Sequence, residues 1–82
     1  MTHADTIREV ETRMARAWNR YGAFASAHEA LGVASEEWDE LRAAVHANDL
    51  QAIGHEALDL AAVCIRLANA CRDDDFAKRS VK

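Results

Sequence analysis

Seven apolar residues at strict three- and four-residue spacing constrain the fold of this chain more than any other feature. They are Leu50, Ile53, Ala57, Leu60, Cys64, Leu67 and Cys71. This spacing places all seven on one face of a single long helix. Further apolar residues widen that face, so that between residues 60 and 70 only Arg66 and Asn69 are polar. A helix this apolar has to be covered on more than one side.

Two further helices are expected ahead of it. Residues 5–22 carry apolar side chains at three- and four-residue spacing, and Gly22 is suited to end the first helix. Ser26 and Glu29 have the spacing of a capping box, which predicts a second helix that runs to about residue 47. These helices account for most of the chain before its middle.

A turn at Asn48 separates the second helix from the third. Residues 48–51 form another capping-box-like sequence, so we expect the third helix to begin there and to end near Cys71. A turn this short makes the second and third helices an antiparallel hairpin. Residues 73–82 are expected to form a tail or a short fourth helix.

The composition favours an all-α fold. The chain has 82 residues, three glycines and no proline, and half of its residues are apolar. This length is enough for one small domain, 1–82, with a limited core. Two helices of so short a chain cannot cover the third on several sides. We therefore expect three long helices that are completed into a helical bundle by homo-oligomerisation, as a dimer or a tetramer.

Charge and cysteine placement limit the partners and the compartment. Residues 29–59 hold eight acids and one base, a net charge of −7, against −4 for the whole chain. The basic residues form no evident stripe along a helix, which argues against duplex nucleic acid. No apolar run reaches the length of a membrane span, and no signal peptide is recognisable, so we expect no membrane partner and a cytoplasmic location. Cys64 and Cys71 stand too far apart on one helix for a disulfide and are expected to be buried.

Two acid pairs flank the turn at Asn48. Glu37 and Glu40 are three residues apart, as are Glu56 and Asp59, so each pair shares a helix face. In an antiparallel hairpin Glu40 then stands level with Glu56, and Glu37 with Asp59. Converging carboxylates repel one another unless they are protonated or bound to a cation, and oxygen ligands suit Mg²⁺ or Mn²⁺. For either pair taken alone, a solvated helix face is the alternative.

The acidic segments resemble the motif of the MazG-like, all-α nucleoside triphosphate pyrophosphohydrolases. That motif is Glu-Glu-x-x-Glu on one helix and Glu-x-x-Asp on the next. Here it reads EEWDE over residues 36–40 and EALD over residues 56–59. The resemblance covers residues 26–70, and the sequence SAHE over residues 26–29, ahead of the acidic motif, also looks like that of short, phage-type members of the group.

The resemblance implies Mg²⁺-dependent hydrolysis of nucleoside triphosphates, either NTP or dNTP, to a monophosphate and pyrophosphate. It implies four metal ligands, namely Glu37, Glu40, Glu56 and Asp59. It also implies catalytic roles for Glu36 and Glu37, in which Glu36 orients a water or supports the metal ligands. Arg66 and Lys78 are the best candidates for binding the substrate phosphates.

One departure from the family, and two alternatives to its activity, remain open. Members of the group commonly have a fourth helix that shapes the nucleotide pocket, and the ten residues after Arg72 are too few for a long one. Either a partner subunit supplies the missing wall, or the pocket is incomplete and the chain lacks the activity. One alternative is a non-catalytic, oligomeric helical binding or assembly module of the same fold. The other is a structural helical protein whose acids only confer solubility.

Overall fold

The structure, a computed structural model, describes residues 1–77, which form three α-helices and no strand. Helix α1 spans His3–Tyr21, α2 spans Ala27–His46 and α3 spans Leu50–Asp73. The prediction of an all-α fold with three long helices is therefore confirmed. Within the expected tail or fourth helix, residues 74–77 are not helical, and Lys78 lies outside the described residues.

Local sequence signals set the connection between α1 and α2. Gly22 ends α1 with φ 72°, a backbone conformation that glycine adopts without steric cost. Ser26 caps α2, because its side chain accepts a hydrogen bond from the Glu29 N–H at 3.2 Å. The Glu29 carboxylate in turn accepts from the N–H of Ala25 at 2.9 Å, one residue before the partner that a standard capping box uses.

A three-residue turn joins α2 and α3. Asn48 adopts φ 56°, in the left-handed region that asparagine tolerates better than most residues. Asp49 then caps α3, and its side chain accepts a hydrogen bond from the Ala52 N–H at 3.1 Å. The predicted turn at Asn48 is thus present, with the helix cap one residue further along than the sequence pattern indicated.

Helix α3 lies at the centre of the fold. Both α1 and α2 pack against it, and α2 makes the more extensive contact, as expected for a helical hairpin. Val63 of α3 packs in a small core with Ala30 of α2 and Phe24 of the α1–α2 loop. Helices α1 and α2 do not pack against each other, so an open groove runs between them across α3.

The expectation that Cys64 and Cys71 are buried is wrong for the single chain. Both are exposed free thiols. The physical reason is that α1 and α2 cover two sides of α3 and leave a third side uncovered. The apolar stripe of α3 is therefore wider than the surface that this chain can bury by itself.

Candidate functional site

The groove between α1 and α2 brings together charged residues from all three helices. Its volume is about 410 Å³. Helix α1 forms one wall, α2 forms the other and α3 forms the floor. The charged and titratable residues that line it are Arg13, Arg16, Arg20, Tyr21, Glu37, His55, Asp59 and Arg66.

Three carboxylates, two on α2 and one on α3, meet next to the groove, and Glu37 among them lines it. One carboxylate oxygen from each of Glu37, Glu40 and Glu56 lies within 4.8 Å of the other two. The hairpin explains this arrangement, since Glu37 and Glu40 share a face of α2 and the turn brings Glu56 opposite them. The Oε2 atoms of Glu37 and Glu56 are buried and have no hydrogen-bond partner. A buried carboxylate oxygen without a partner favours the binding of a proton or a cation.

The raised pKa values of Glu37 and Glu56 also indicate that the acid cluster favours a proton or a cation. Burial, followed by the charges of Glu40, Asp59, Glu56 and Glu36, raises the pKa of Glu37 from 4.5 to about 7. Burial is also the largest cause that raises the pKa of Glu56, and Glu40 adds to it through a hydrogen bond and through its charge. The cluster therefore binds a proton unusually tightly for carboxylates, and a divalent cation would relieve the same repulsion.

Asp59 turns towards α1 instead of joining this cluster. Its Oδ1 accepts a hydrogen bond from Nη1 of Arg13 at 2.6 Å, in a partly buried ion pair. Nη1 of Arg13 also lies 3.2 Å from Nδ1 of His55, and Nε2 of His55 lies 3.5 Å from Oδ2 of Asp59. The sequence placed four acids together, whereas the structure places three together and gives the fourth a cationic partner.

His55 creates a second group of potential ligands, which the sequence analysis did not identify. One ligand atom from each of His55, Glu56 and Asp59 lies within 4.8 Å of the others. Glu56 belongs to both groups and thus joins them. The i, i+4 spacing of His55 and Asp59 was the available sequence signal, because residues four apart lie on one helix face.

An arginine row faces the acid cluster from α1. Arg13, Arg16 and Arg20 line the groove, at a spacing of three and then four residues that puts them on one helix face. The expectation that no helix carries a basic stripe is therefore wrong for α1. The Arg20 guanidinium lies 5.4 Å from the centre of the Tyr21 ring. This ring adds an aromatic surface next to the last arginine of the row.

Arg66 lies in the groove but already has structural partners. Its Nη2 donates a hydrogen bond to the Gly22 carbonyl at 2.9 Å, and its guanidinium stacks 4.3 Å from the centre of the Phe24 ring. Burial lowers the pKa of Arg66, although the charge of Glu29 opposes that shift. These contacts tie the α1–α2 loop to α3, which leaves fewer donors of Arg66 for a phosphate group.

The other two predicted site residues are placed as follows. Glu36 is exposed, and its charge is one of those that raise the pKa of Glu37. Lys78, predicted to bind phosphate, lies outside the described residues.

Comparison of the chain with known proteins and its helix hydropathy give two plain results. No protein-family model, no curated protein and no solved structure matches the chain. Within residues 1–77, none of the three helices combines the length and the apolar character that a membrane crossing needs.

Proposed function

We propose that this chain is an oligomeric, Mg²⁺-dependent nucleoside triphosphate pyrophosphohydrolase that acts in the cytoplasm. The observation that carries the proposal is the pairing of two walls in one groove. Glu37, with Glu40 and Glu56 of the acid cluster next to it, stands on one wall, and three arginines suited to phosphate groups stand on the other. A triphosphate with its divalent cation has complementary charge to both walls at once.

The donor set fits Mg²⁺, with Mn²⁺ as a second possibility. Glu37, Glu40 and Glu56 offer oxygen ligands from two helices, and two of their oxygens are buried without a partner. Asp59 would become the fourth ligand if a bond to the cation replaced its ion pair with Arg13. When bound, the cation would neutralise triphosphate charge and lower the pKa of a water molecule that attacks phosphorus.

The chain's own residues would bind the substrate and move one proton. Arg13, Arg16 and Arg20 would hold the phosphate groups by charge-assisted hydrogen bonds. Glu37 would accept the proton of the attacking water at its buried Oε2, and Glu36 beside it would help to orient that water. Water would attack the α-phosphorus, the bond from that phosphorus to the bridging oxygen would break, and pyrophosphate would leave.

Specific contacts favour one alternative, a non-catalytic oligomeric binding or assembly module with the same fold. Asp59 is engaged by Arg13, and Arg66 is engaged by the Gly22 carbonyl and the Phe24 ring. Two of the predicted site residues thus stabilise the packing of α1 and of the α1–α2 loop. In this alternative the groove would bind an anion or a cation without turnover.

Hydrolysis assays with a matched pair of variants distinguish the two functions. A panel of NTPs and dNTPs would be incubated with the chain, with and without Mg²⁺, and the products separated by ion-exchange chromatography. Glu40→Gln removes one charge from the acid cluster, whereas Asp39→Asn removes one charge from the adjacent exposed position on α2. We expect Mg²⁺-dependent turnover that Glu40→Gln abolishes and Asp39→Asn retains. Metal binding by a folded wild type without turnover of any nucleotide would instead support the binding module.

A further inference from the structure

A second cavity, which we call the α1–α3 cavity, lies on the other flank of α1 from the groove. Its volume is about 370 Å³, and small-molecule pockets commonly measure about 300–1,000 Å³. The α1 residues that line it are Met14, Ala15, Trp18 and Asn19. Those that line the groove are Arg13, Arg16, Ala17, Arg20 and Tyr21. Because each residue turns the side-chain direction by about 100°, the two sets lie on opposite flanks of α1, and a ligand in the cavity leaves the groove open.

Aromatic and aliphatic side chains form much of the wall of the α1–α3 cavity. Met14 and Trp18 come from α1, Phe24 from the α1–α2 loop and Ala70 from α3. Trp18 is 50% exposed, so an apolar ligand that covers its ring removes apolar surface from water. The face of an indole ring also attracts organic cations. This wall therefore suits a ligand with an aromatic ring.

Negative charge collects where α3 meets the α1–α3 cavity. Asp73 and Asp75 both line the cavity. Two hydrogen bonds from Arg72 lower the pKa of Asp73, so its carboxylate is ionised at neutral pH. Helix α3 ends at Asp73, and the C-terminal end of a helix carries partial negative charge. This end of the cavity therefore favours a cation.

The chain after α3 holds Asp75 beside the cavity. The Asp75 N–H donates a hydrogen bond to the Ala70 carbonyl, and the Ala77 N–H donates one to the Phe24 carbonyl, each at 2.9 Å. Phe76 between them packs against the small core. Among residues 1–77, the Asp75 carboxylate has no hydrogen-bond or ion-pair partner, so its charge can meet that of a ligand.

The other polar side chains of the cavity do not reverse this preference. Of the described residues that line it, Arg66 is the only cation, and the Gly22 carbonyl and the Phe24 ring already engage its guanidinium. The side-chain amides of Asn19 and Asn69 make no hydrogen bond within residues 1–77. Their oxygens can therefore accept hydrogen bonds from a ligand N–H group.

We propose that the α1–α3 cavity is a binding site for a small aromatic amine. Its ring packs on Trp18, and its protonated amino group pairs with Asp73 and Asp75. Charge complementarity selects this class of ligand, since an anion would meet two carboxylates and a purely apolar molecule would leave the polar groups unused. Binding here requires neither metal nor nucleotide and is independent of the proposed hydrolysis.

Calorimetry with three related compounds tests the class of ligand. The compounds are 2-phenylethylamine, 2-phenylethanol and 3-phenylpropionate, which share a phenyl ring and differ in charge. We expect the wild type to bind the amine at least about tenfold more tightly than the alcohol, with the weakest binding for the propionate. A folded wild type that does not bind the amine, or that binds the alcohol or the propionate as tightly, would overturn the proposal.

A matched pair of variants tests the contribution of charge. Asp75→Asn removes one charge from the cavity, whereas Asp39→Asn removes one charge from an exposed position of α2. Asp75→Asn should weaken binding of the amine about fivefold to tenfold and leave that of the alcohol almost unchanged. Asp39→Asn should leave both unchanged. Equal affinity of Asp75→Asn and the wild type for the amine would show that the ammonium group does not lie at this end of the cavity.

Two further variants test the location of the ring. Trp18→Ala removes the aromatic surface, and Ala15→Phe fills the cavity from an exposed position of α1. Each should abolish binding of the amine in a protein that circular dichroism shows to be helical. If Trp18→Ala does not fold, Ala15→Phe decides the location by itself. Wild-type affinity for the amine in a folded Ala15→Phe variant would contradict the proposal, whatever the outcome of the hydrolysis assay.

Discussion

Replacing Glu37 with glutamine is expected to stabilise the metal-free protein at alkaline pH. In the folded chain the pKa of Glu37 is raised from 4.5 to about 7, chiefly by burial and then by the neighbouring carboxylates. A raised carboxyl pKa means that the folded state holds a proton which the unfolded state has already released. The contribution of Glu37 to the free energy of unfolding is therefore fully present below pH 4.5, and it is lost as pH rises through about 7.

The size of the effect follows from the size of the pKa shift. For a carboxyl group without access to water, a shift of this size corresponds to about 3 kcal/mol. Because Glu37 is only partly buried, solvent screening reduces this to about 1 kcal/mol. Glutamine has the same shape without the charge, so the variant should gain about that amount at alkaline pH and almost nothing at acidic pH. In a domain of this length, 1 kcal/mol changes Tm by about 4–8 °C.

Thermal unfolding of both proteins in a metal chelator, at equal protein concentration, measures this difference. Titrating groups outside the acid cluster cancel in the comparison of wild type with Glu37→Gln, and neutral glutamine also relieves the repulsion on the carboxylates next to it. Asp39→Asn, which removes a charge from an exposed position of α2, serves as the control and should show no pH-dependent gain. Added Mg²⁺ should then stabilise the wild type more than Glu37→Gln. A variant that is less stable than the wild type at alkaline pH without metal would refute the reasoning.

Three further outcomes follow from the contacts of single residues. Glu56→Gln should weaken Mg²⁺ or Mn²⁺ binding at least about tenfold in calorimetry, because Glu56 belongs to both ligand groups; equal affinity would contradict the metal site. Arg16→Ala should raise the KM for a triphosphate while leaving Tm almost unchanged, since Arg16 is exposed in the groove; an unchanged KM would exclude it from phosphate binding. Arg66→Ala should lower the free energy of unfolding by about 2 kcal/mol in urea titrations, through loss of its contacts with Gly22 and Phe24; a negligible change would show that these contacts are weak.

The features that depend on neighbours in sequence were predictable. The glycine that ends α1, the serine that caps α2 and the turn at Asn48 each act within a few residues, and all three are present. The meeting of Glu40 with Glu56 was also predictable, because an antiparallel hairpin with a short turn fixes which residues stand level. Interactions between residues close in sequence therefore suffice to predict the helices and the α2–α3 part of the groove.

The features that depend on how α1 lies on α3 were not predictable. Helical periodicity shows which residues of α1 share a face, but it does not show which α3 residues that face meets. Arg13 therefore emerged as the partner of Asp59 only in the structure, together with the arginine row. The engagement of Arg66 by the Gly22 carbonyl depends on the path of the α1–α2 loop, which no short motif specifies.

Hydrolysis in ¹⁸O-labelled water tests the central claim most directly. The wild-type chain would be incubated with Mg²⁺ and a nucleoside triphosphate that it turns over, and the products analysed by mass spectrometry. The proposed attack on the α-phosphorus predicts one labelled oxygen in the nucleoside monophosphate and none in the pyrophosphate. Label in pyrophosphate, release of orthophosphate as the first product, or no turnover by a folded protein that binds the metal would contradict the account.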